Sequence, residues 1–579
     1  MIINTLKNLK PVLLEMKKAK IVAVDTETIS LEDKTMVGIS FAFRQNKKFL
    51  KYYIPIQHNN IKNMPETGQK KLLRAITLLP RVVYHNYSFD AQVLFKKGYE
   101  HKHIPHDSMV IAHLLNENQP VGLKKLAKRE FKYDMLTFKE VCGVGKKQIS
   151  FADLEDEVII DKYASDDALF TLKLFLLLYN KLSKDIKLMR VYDVLEHPLL
   201  EVVVSMHNEG ITVDRRKVKK IKKICLEKRD FYFSKLNFLM GGVNLNSSKQ
   251  LREYFIEQNN CPVIKRSMKT NKPSVDAEVL KIYAENNMEA DWLLKYRYYA
   301  KILSTFVPYF ESKTNKVYAS FNQSGTTSGR FSSSGPNLQN VPNEDKLGIR
   351  ECVVASKGYK LISLDYSGVE MRLAAHFSGE EKLITAFNSG LDIHSQVAKE
   401  VGCSRSKAKT LSYALLYGAG VKTIAKHMDT TPKKAAKYME NFFEKYPKIK
   451  EFIVKSKKQA YNNGYVESFM FRKRHLNPKF EFLDEYQKAG ELRSMVNAIV
   501  QSSGADILKA AMIMSYKEIQ KYNATIIAVI HDEILLTCPE IHAQKVKNIV
   551  EKCMIRAGVG LKVALEVKGN IGDNWGEIH

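Results

Sequence analysis

Three apolar runs in this chain end in carboxylates, and burying them brings negative charge to the edge of a core. IVAV (21–24) runs into Asp25-Thr-Glu27, and Ile362-Ser-Leu runs into Asp365. TIIAVI (525–530) and ILLT (534–537) flank His531-Asp532-Glu533. Short runs rich in β-branched residues read as buried strands. The last pair reads as a β-hairpin with carboxylates at its tip. Acids carried to the end of a buried strand are costly unless a cation binds them. Hard divalent cations take carboxylate oxygens. The chain is therefore expected to build α/β sheets whose rims carry metal sites.

At the first run, Asp25 and Glu27 are two apart on a strand and share a face. That spacing alone is weak, because it recurs at Asp153–Glu155 and Asp276–Glu278 with no buried strand before it. Two further segments strengthen it. His85-Asn-Tyr-Ser-Phe-Asp90 follows the apolar RVVY, placing an acid at a helix start. Tyr163-Ala-Ser-Asp-Asp167 puts a tyrosine and an acid one helical turn apart. Asp166 is the ambiguous neighbour, and the four-residue spacing selects Asp167. Four carboxylates at ~4 Å repel one another, and two metal ions resolve that repulsion.

Between the second and third runs lies Arg405-SKA-Lys409-TLS-Tyr413-ALL-Tyr417-Gly418. Spacing by four keeps these side chains on one stripe of a helix. Two cations followed by two aromatics suit a nucleoside triphosphate, with phosphates at one end and a stacked base at the other. The chain carries 91 Lys+Arg against 63 Asp+Glu, a net charge of +28. A polyanionic partner is expected, nucleic acid first and an acidic membrane surface second.

Other features exclude classes. No apolar run approaches the roughly 18–20 residues of a membrane span. The opening residues have no signal-peptide pattern, which suggests a cytoplasmic protein. Seven scattered cysteines without a CxxC pair indicate neither a disulfide framework nor zinc. Residues 20–182 read as a mixed α/β block and 186–310 as mostly helical and basic, including a lysine-faced helix (VKKIKKICLEKRDFYFSKL) and a basic loop at 263–273. A Gly/Ser-dense segment follows at 322–337. Strands and helices then alternate from 359 onward.

The ordered set DTE, NYSFD and YxxxD resembles the three motifs of the DEDDy 3′–5′ exonucleases, on an RNase H-like fold, and Asp107 also fits that pattern. The rest of the chain is similar to the family A DNA polymerases, the family of bacterial DNA polymerase I. Thr327-Ser-Gly-Arg330-Phe with Pro336-Asn-Leu-Gln339 looks like that family's TGRLSS…PNLQNIP stretch. Asp365-Tyr-Ser-Gly-Val-Glu370, the Arg405–Tyr417 stripe and His531-Asp532-Glu533 are similar to its motifs A, B and C. The implied fold class is α/β multidomain, an RNase H-like exonuclease followed by a right hand. The expected layout is exonuclease 1–185, thumb 186–325, palm 326–392 and 476–579, and fingers 393–475.

The resemblance implies template-directed DNA synthesis with proofreading. It implies two Mg²⁺ per active site, with Mn²⁺ as the alternative. Asp25, Glu27, Asp90 and Asp167 would hold the exonuclease metals, and Tyr163 would orient the attacking water. Asp365 and Asp532 would hold the polymerase metals, with Glu533 in support. Arg405, Lys409, His394, Tyr413, Tyr417 and Glu370 would bind the dNTP. Glu370 would reject ribose, and Tyr413 would go with acceptance of dideoxynucleotides. Arg330, Asn337, Gln339, Arg493, Asn497, Gln501 and His531 would contact primer–template DNA.

Gly368, Ala414 and Phe471 depart from the family's usual Gln, Gly and Gly. No 5′-nuclease segment is seen, and the compact layout is that of phage replicative enzymes, which would work in the host cytoplasm. Accessory replication proteins are a further expected partner class. The competing readings are a repair or lesion-bypass polymerase, a nuclease with an inactive DNA-clamping half, and a non-enzymatic DNA-binding protein.

Overall fold

The computed structural model describes residues 1–31, 33–267, 270–311, 314–342 and 347–578. The chain forms two compact units. The first comprises Met1–Glu209, Phe321–Ser332 and Ile362–Ile571, and the second Gly210–Ser320, Ser333–Leu361 and Gly572–His579.

The N-terminal part of the first unit is a five-stranded sheet. Its strands are β1 (Val22–Thr28), β2 (Met36–Gln45), β3 (Lys48–Pro55), β4 (Val82–Tyr84) and β5 (His106–Asp107), in the order β3-β2-β1-β4-β5. β1, β2 and β3 are antiparallel, while β4 and β5 run parallel to β1. Asn46 and Lys47 close the β2–β3 hairpin at φ 45° and 65°, the left-handed backbone that tight hairpins need. The apolar run becomes the central strand because β1 is buried on both faces. Helix Glu157–Leu182 packs across β1, β2 and β3. Asp156 starts it, accepting from the Val158 and Ile159 amides.

The later part of this unit holds a four-stranded sheet in the order Thr525–Ile530, Glu533–Pro539, Tyr359–Tyr366, Val567–Gly572. The 35-residue helix Glu485–Ile519 packs against Val369–Ser378 and Ala543–Arg556. Helices between 381 and 463 share an apolar core that includes Leu383, Leu411, Leu415, Phe442 and Ile449.

Polar contacts join the two parts. Arg472, Lys473 and Arg474 are consecutive, and each takes an acid from the N-terminal side: Glu196, Asp185 and Glu117 respectively. Around Arg472 the enclosure is complete. Glu196, Asp506 and Lys509 surround it, and the four side chains are between 0 and 4% exposed. Lys509 Nζ is 2.7 Å from Glu196 Oε1, Arg472 Nε is 2.7 Å from Asp506 Oδ1, and Gln323 Nε2 donates to Glu196 Oε2. Phe471, where the family's glycine is usual, adopts φ +72°.

In the second unit, helices Arg215–Leu239 and Met288–Thr305 pack on each other. Leu236, Phe255, Leu280 and Leu293 form its core. The lysine face of Arg215–Leu239 points to solvent, as expected. The basic segment 263–273 is irregular apart from a bridge between Arg266 and Pro273, and two of its residues, 268 and 269, lie outside the described residues. Trp575 is buried, under the Arg350 guanidinium at 4.5 Å. Among the described residues no helix is long and apolar enough to cross a membrane.

Candidate active sites

The first site lies on β1. Asp25 pairs with Ser40 and Glu27 with Gly38 across the β1–β2 ladder. Gly38 is required here, since a Cβ would fall 1.8 Å from the hydroxyl of Tyr53. Asp25, Glu27 and Asp167 each offer a carboxylate oxygen within 4.8 Å of the others. Burial pushes Asp25 and Glu27 well above the ordinary carboxylate range, and repulsion from Asp90 and Asp167 adds to it in both. Asp167 is pushed by burial to about 7.

Glu27 Oε1 and Asp167 Oδ1 are buried with no hydrogen-bond partner. Clustered acids with orphaned oxygens fit a divalent cation, which would satisfy both the charge and the lone pairs.

Asp90 stands slightly apart. Its Oδ1 accepts from the Thr26 amide at 2.9 Å and hydroxyl at 2.7 Å, and burial raises it to about 7. It repels Asp25 but is outside the three-oxygen group. Asp166 and Asp167 have different surroundings. Asp166 turns away to Lys51 Nζ at 2.6 Å and the Tyr133 hydroxyl at 2.9 Å. Asp107 caps helix Ser108–Leu115 and also accepts from the Asn86 and Tyr87 amides, pinning the NYSFD segment.

Tyr163 is 7% exposed, against Phe151 on one side. Lys124, which no motif flags, lies over its ring with Nζ 4.1 Å from the centroid.

The second site lies at the end of the later sheet. His531-Asp532 is a two-residue turn, with Ile530 opposite Glu533 and His531 at φ +54°. Glu533 faces inward and accepts from Ser363 Oγ at 2.6 Å. That cross-strand bond fixes the register of the hairpin against the strand bearing Asp365, two residues beyond Ser363. Asp365 is exposed and Asp532 partly buried. Burial raises Asp532, and Arg330 opposes the shift. Among the described residues no third ligand-type side chain completes a group with these two.

Arg330 is 2.8 Å from Glu370 Oε1 and 3.5 Å from Asp532 Oδ1. The Tyr417 hydroxyl donates to Glu370 Oε2. Glu370 is thus held on both oxygens.

The expected stripe forms on helix Arg405–Leu416, with Tyr417 as its C-cap rather than a helical residue. The rings of His394, Tyr413 and Tyr417 follow one another at 5.9 and 6.5 Å. Arg405 is engaged by Asp392 in a two-point pair at 2.5 and 3.2 Å, while Lys409 is exposed. Gly418 lies against Arg493, and a Cβ there would fall 2.8 Å from Arg493 Cγ. Arg493, Asn497 and Gln501 form one partly exposed stripe on helix Glu485–Ile519, with Met495, Val496, Ala498, Ile499 and Val500 buried beside it. Asn337 belongs to the second unit and caps a short turn by accepting from the Gln339 amide.

The architecture is that of a two-site chain, an RNase H-like exonuclease fold joined to a right hand. The comparisons with known proteins agree. The profile for DNA polymerase family A matches residues 215–577 and that for 3′-5′ exonuclease matches residues 1–187, so the chain belongs to the family A DNA polymerases.

It is 31% identical to DNA polymerase I of Borreliella burgdorferi, over 100% of this chain and 64% of that protein. It is 29% identical to DNA polymerase I of Pseudomonas aeruginosa, over 98% and 64%. The chain thus spans somewhat under two thirds of the length of these relatives. Among solved structures, the POL domain of Pol1 from M. smegmatis, in complex with DNA primer-template and dNTP, aligns with TM-score 0.83 at 24% identity, covering 98% of both chains.

Proposed function

We propose that this chain extends DNA primers on a template and excises misincorporated 3′ ends. The observation that carries the reading is the pairing of two separate carboxylate sites with a basic, aromatic dNTP-type helix in one chain of this family. Asp25, Glu27 and Asp167, with Asp90 behind them, would hold the exonuclease ions. Asp365 and Asp532 would hold those of the polymerase. Mg²⁺ is the proposed ion, with Mn²⁺ as a substitute. Bound at these carboxylates, such an ion would lower the pKa of an attacking hydroxyl and offset charge on phosphoryl oxygens.

The side chains supply the rest. Lys409 and His394 would meet the triphosphate, joined by Arg405 once a phosphate displaces Asp392. Tyr413 and Tyr417 would carry the base and sugar. Glu370 would crowd a ribose 2′-hydroxyl, and its bonds to Arg330 and Tyr417 keep it in place to do so. Glu533 steadies the hairpin through Ser363. Tyr163 would orient the water for excision. Arg330, Asn337, Gln339, Arg493, Asn497, Gln501 and His531 are proposed DNA contacts.

We read 1–185 as exonuclease, 186–325 as thumb, 393–475 as fingers and the flanking segments as palm. A replicative role in a phage is proposed as well; the relatives named above are bacterial.

The test is a labelled primer–template with Mg²⁺, with and without dNTPs. Wild type should extend with dNTPs and degrade without them. Asp25→Ala should only extend, and Asp532→Ala should only degrade. Degradation without extension under every dNTP condition would overturn the polymerase reading.

A further inference from the structure

Lys124 is the second residue of helix Leu123–Phe131, about a hundred residues from Asp25 in sequence and forty from Tyr163. Three observations place it in the exonuclease site. Its ammonium lies 4.1 Å from the Tyr163 ring centroid, a cation–π contact on a largely buried ring. Phe151 packs against the same ring, with centroids 5.3 Å apart. The ammonium also donates to the Leu136 carbonyl, which anchors it. Finally, its charge acts on Asp25, Glu27 and Asp167 alike, against the repulsion those acids exert on one another.

We propose that Lys124 is a positioning residue for excision: it fixes the Tyr163 ring and supplies a positive charge that draws the scissile phosphodiester onto the carboxylate cluster. The proposal rests on the exonuclease reading above. It has an unusual signature. A cation beside a metal-binding cluster repels divalent ions while attracting the substrate phosphate. Removing it should tighten metal binding and slow the reaction. Loss of a merely structural contact would weaken both.

The experiment uses the full chain as wild type, Lys124→Met, Lys124→Arg and Asp25→Ala. Mn²⁺ binding is followed by electron paramagnetic resonance. Excision of a single-stranded oligonucleotide is measured in single turnover at saturating Mg²⁺. Lys124→Met should bind Mn²⁺ at least threefold tighter in the class of sites that Asp25→Ala removes. It should excise 10–100-fold more slowly, with primer extension within twofold of wild type. Lys124→Arg, which keeps the charge, should excise within threefold of wild type.

The proposal is overturned if Lys124→Met excises within twofold of wild type, or if its Mn²⁺ binding weakens along with excision. It is also overturned if Lys124→Arg falls as far as Lys124→Met. If wild type shows no excision that Asp25→Ala abolishes, the exonuclease reading itself fails and takes the proposal with it.

Discussion

Neutralising Glu196 should destabilise the first unit by about 3 kcal/mol, and two independent routes give that figure. The enclosure of Glu196, Asp506, Arg472 and Lys509 holds two negative and two positive charges, with no side chain more than 4% exposed. Glu196→Gln keeps the shape and leaves one uncompensated positive charge inside. Removing one partner of a buried pair costs about 3–5 kcal/mol. Separately, burial would raise the Glu196 carboxyl, yet Lys509 and Arg472 hold it at about 2 against an ordinary 4.5. That depression corresponds to about 3 kcal/mol.

Thermal unfolding should show an apparent Tm lower by about 3 °C, because a melting entropy of about 2.1 cal/mol/K per residue over a unit of this size gives roughly 1 °C per kcal/mol. Adding Lys509→Met removes the stranded charge and should recover about 2 kcal/mol. The pH dependence has a definite sign. A carboxyl depressed in the folded state contributes stability that is complete above the unfolded value, near pH 4.5, and is lost as pH falls toward 2. Glu196→Gln should flatten wild-type acid destabilisation across that window. A Tm change under 2 °C, or a double variant no more stable than the single one, would refute the reasoning.

Three further outcomes are expected. Glu370→Ala should raise ribonucleotide incorporation at least tenfold in competition assays with little change in dNTP use, since the side chain held by Arg330 and Tyr417 is the proposed barrier. Tyr413→Phe should reduce dideoxynucleotide termination at least tenfold, read from the ratio of terminated to extended products. Phe471→Gly should be more stable than Phe471→Ala by about 1 kcal/mol in urea unfolding, because both lose the ring but only alanine keeps a Cβ at φ +72°.

What could be read ahead of the fold follows from range. Asp25 and Asp532 were legible because each closes an apolar run, and Glu27 by its two-residue spacing from Asp25, although β1 itself continues past Asp25 and Glu27 to Thr28. The choice of Asp167 over Asp166 was made on helical spacing alone; in the fold Asp166 is engaged by Lys51 and Tyr133, contacts that no spacing announces. The stripe from Arg405 was legible almost to its end, and only the cap geometry at Tyr417 departs from it.

Contacts that join distant segments left no local trace. Lys124 sits in a lysine-rich stretch where nothing marks one ammonium above the next. Asp392, thirteen residues from Arg405, caps helix Ile393–Val401 and is also the partner that occupies the guanidinium, a double role no local pattern shows. Glu196 reads as an ordinary surface acid, because its three polar partners lie more than a hundred residues away. Phe471 was visible as a departure from the family, but its left-handed backbone was not.

The second unit has a consequence for how the chain is made. Its body is encoded between Gly210 and Leu361, yet Trp575, stacked under Arg350 and hydrogen-bonded through its amide to the Val353 carbonyl, belongs to it as well. More than two hundred residues separate Leu361 from the Gly572 segment. At about 5–20 residues per second, the ribosome needs roughly 10–40 s to supply that segment. During that interval the nascent unit lacks Trp575 and Ile578, both buried in the finished protein, while the N-terminal sheet already has all five of its strands. The order of translation thus completes this basic, helical unit last, and a chain truncated before Gly572 would leave it without its final segment.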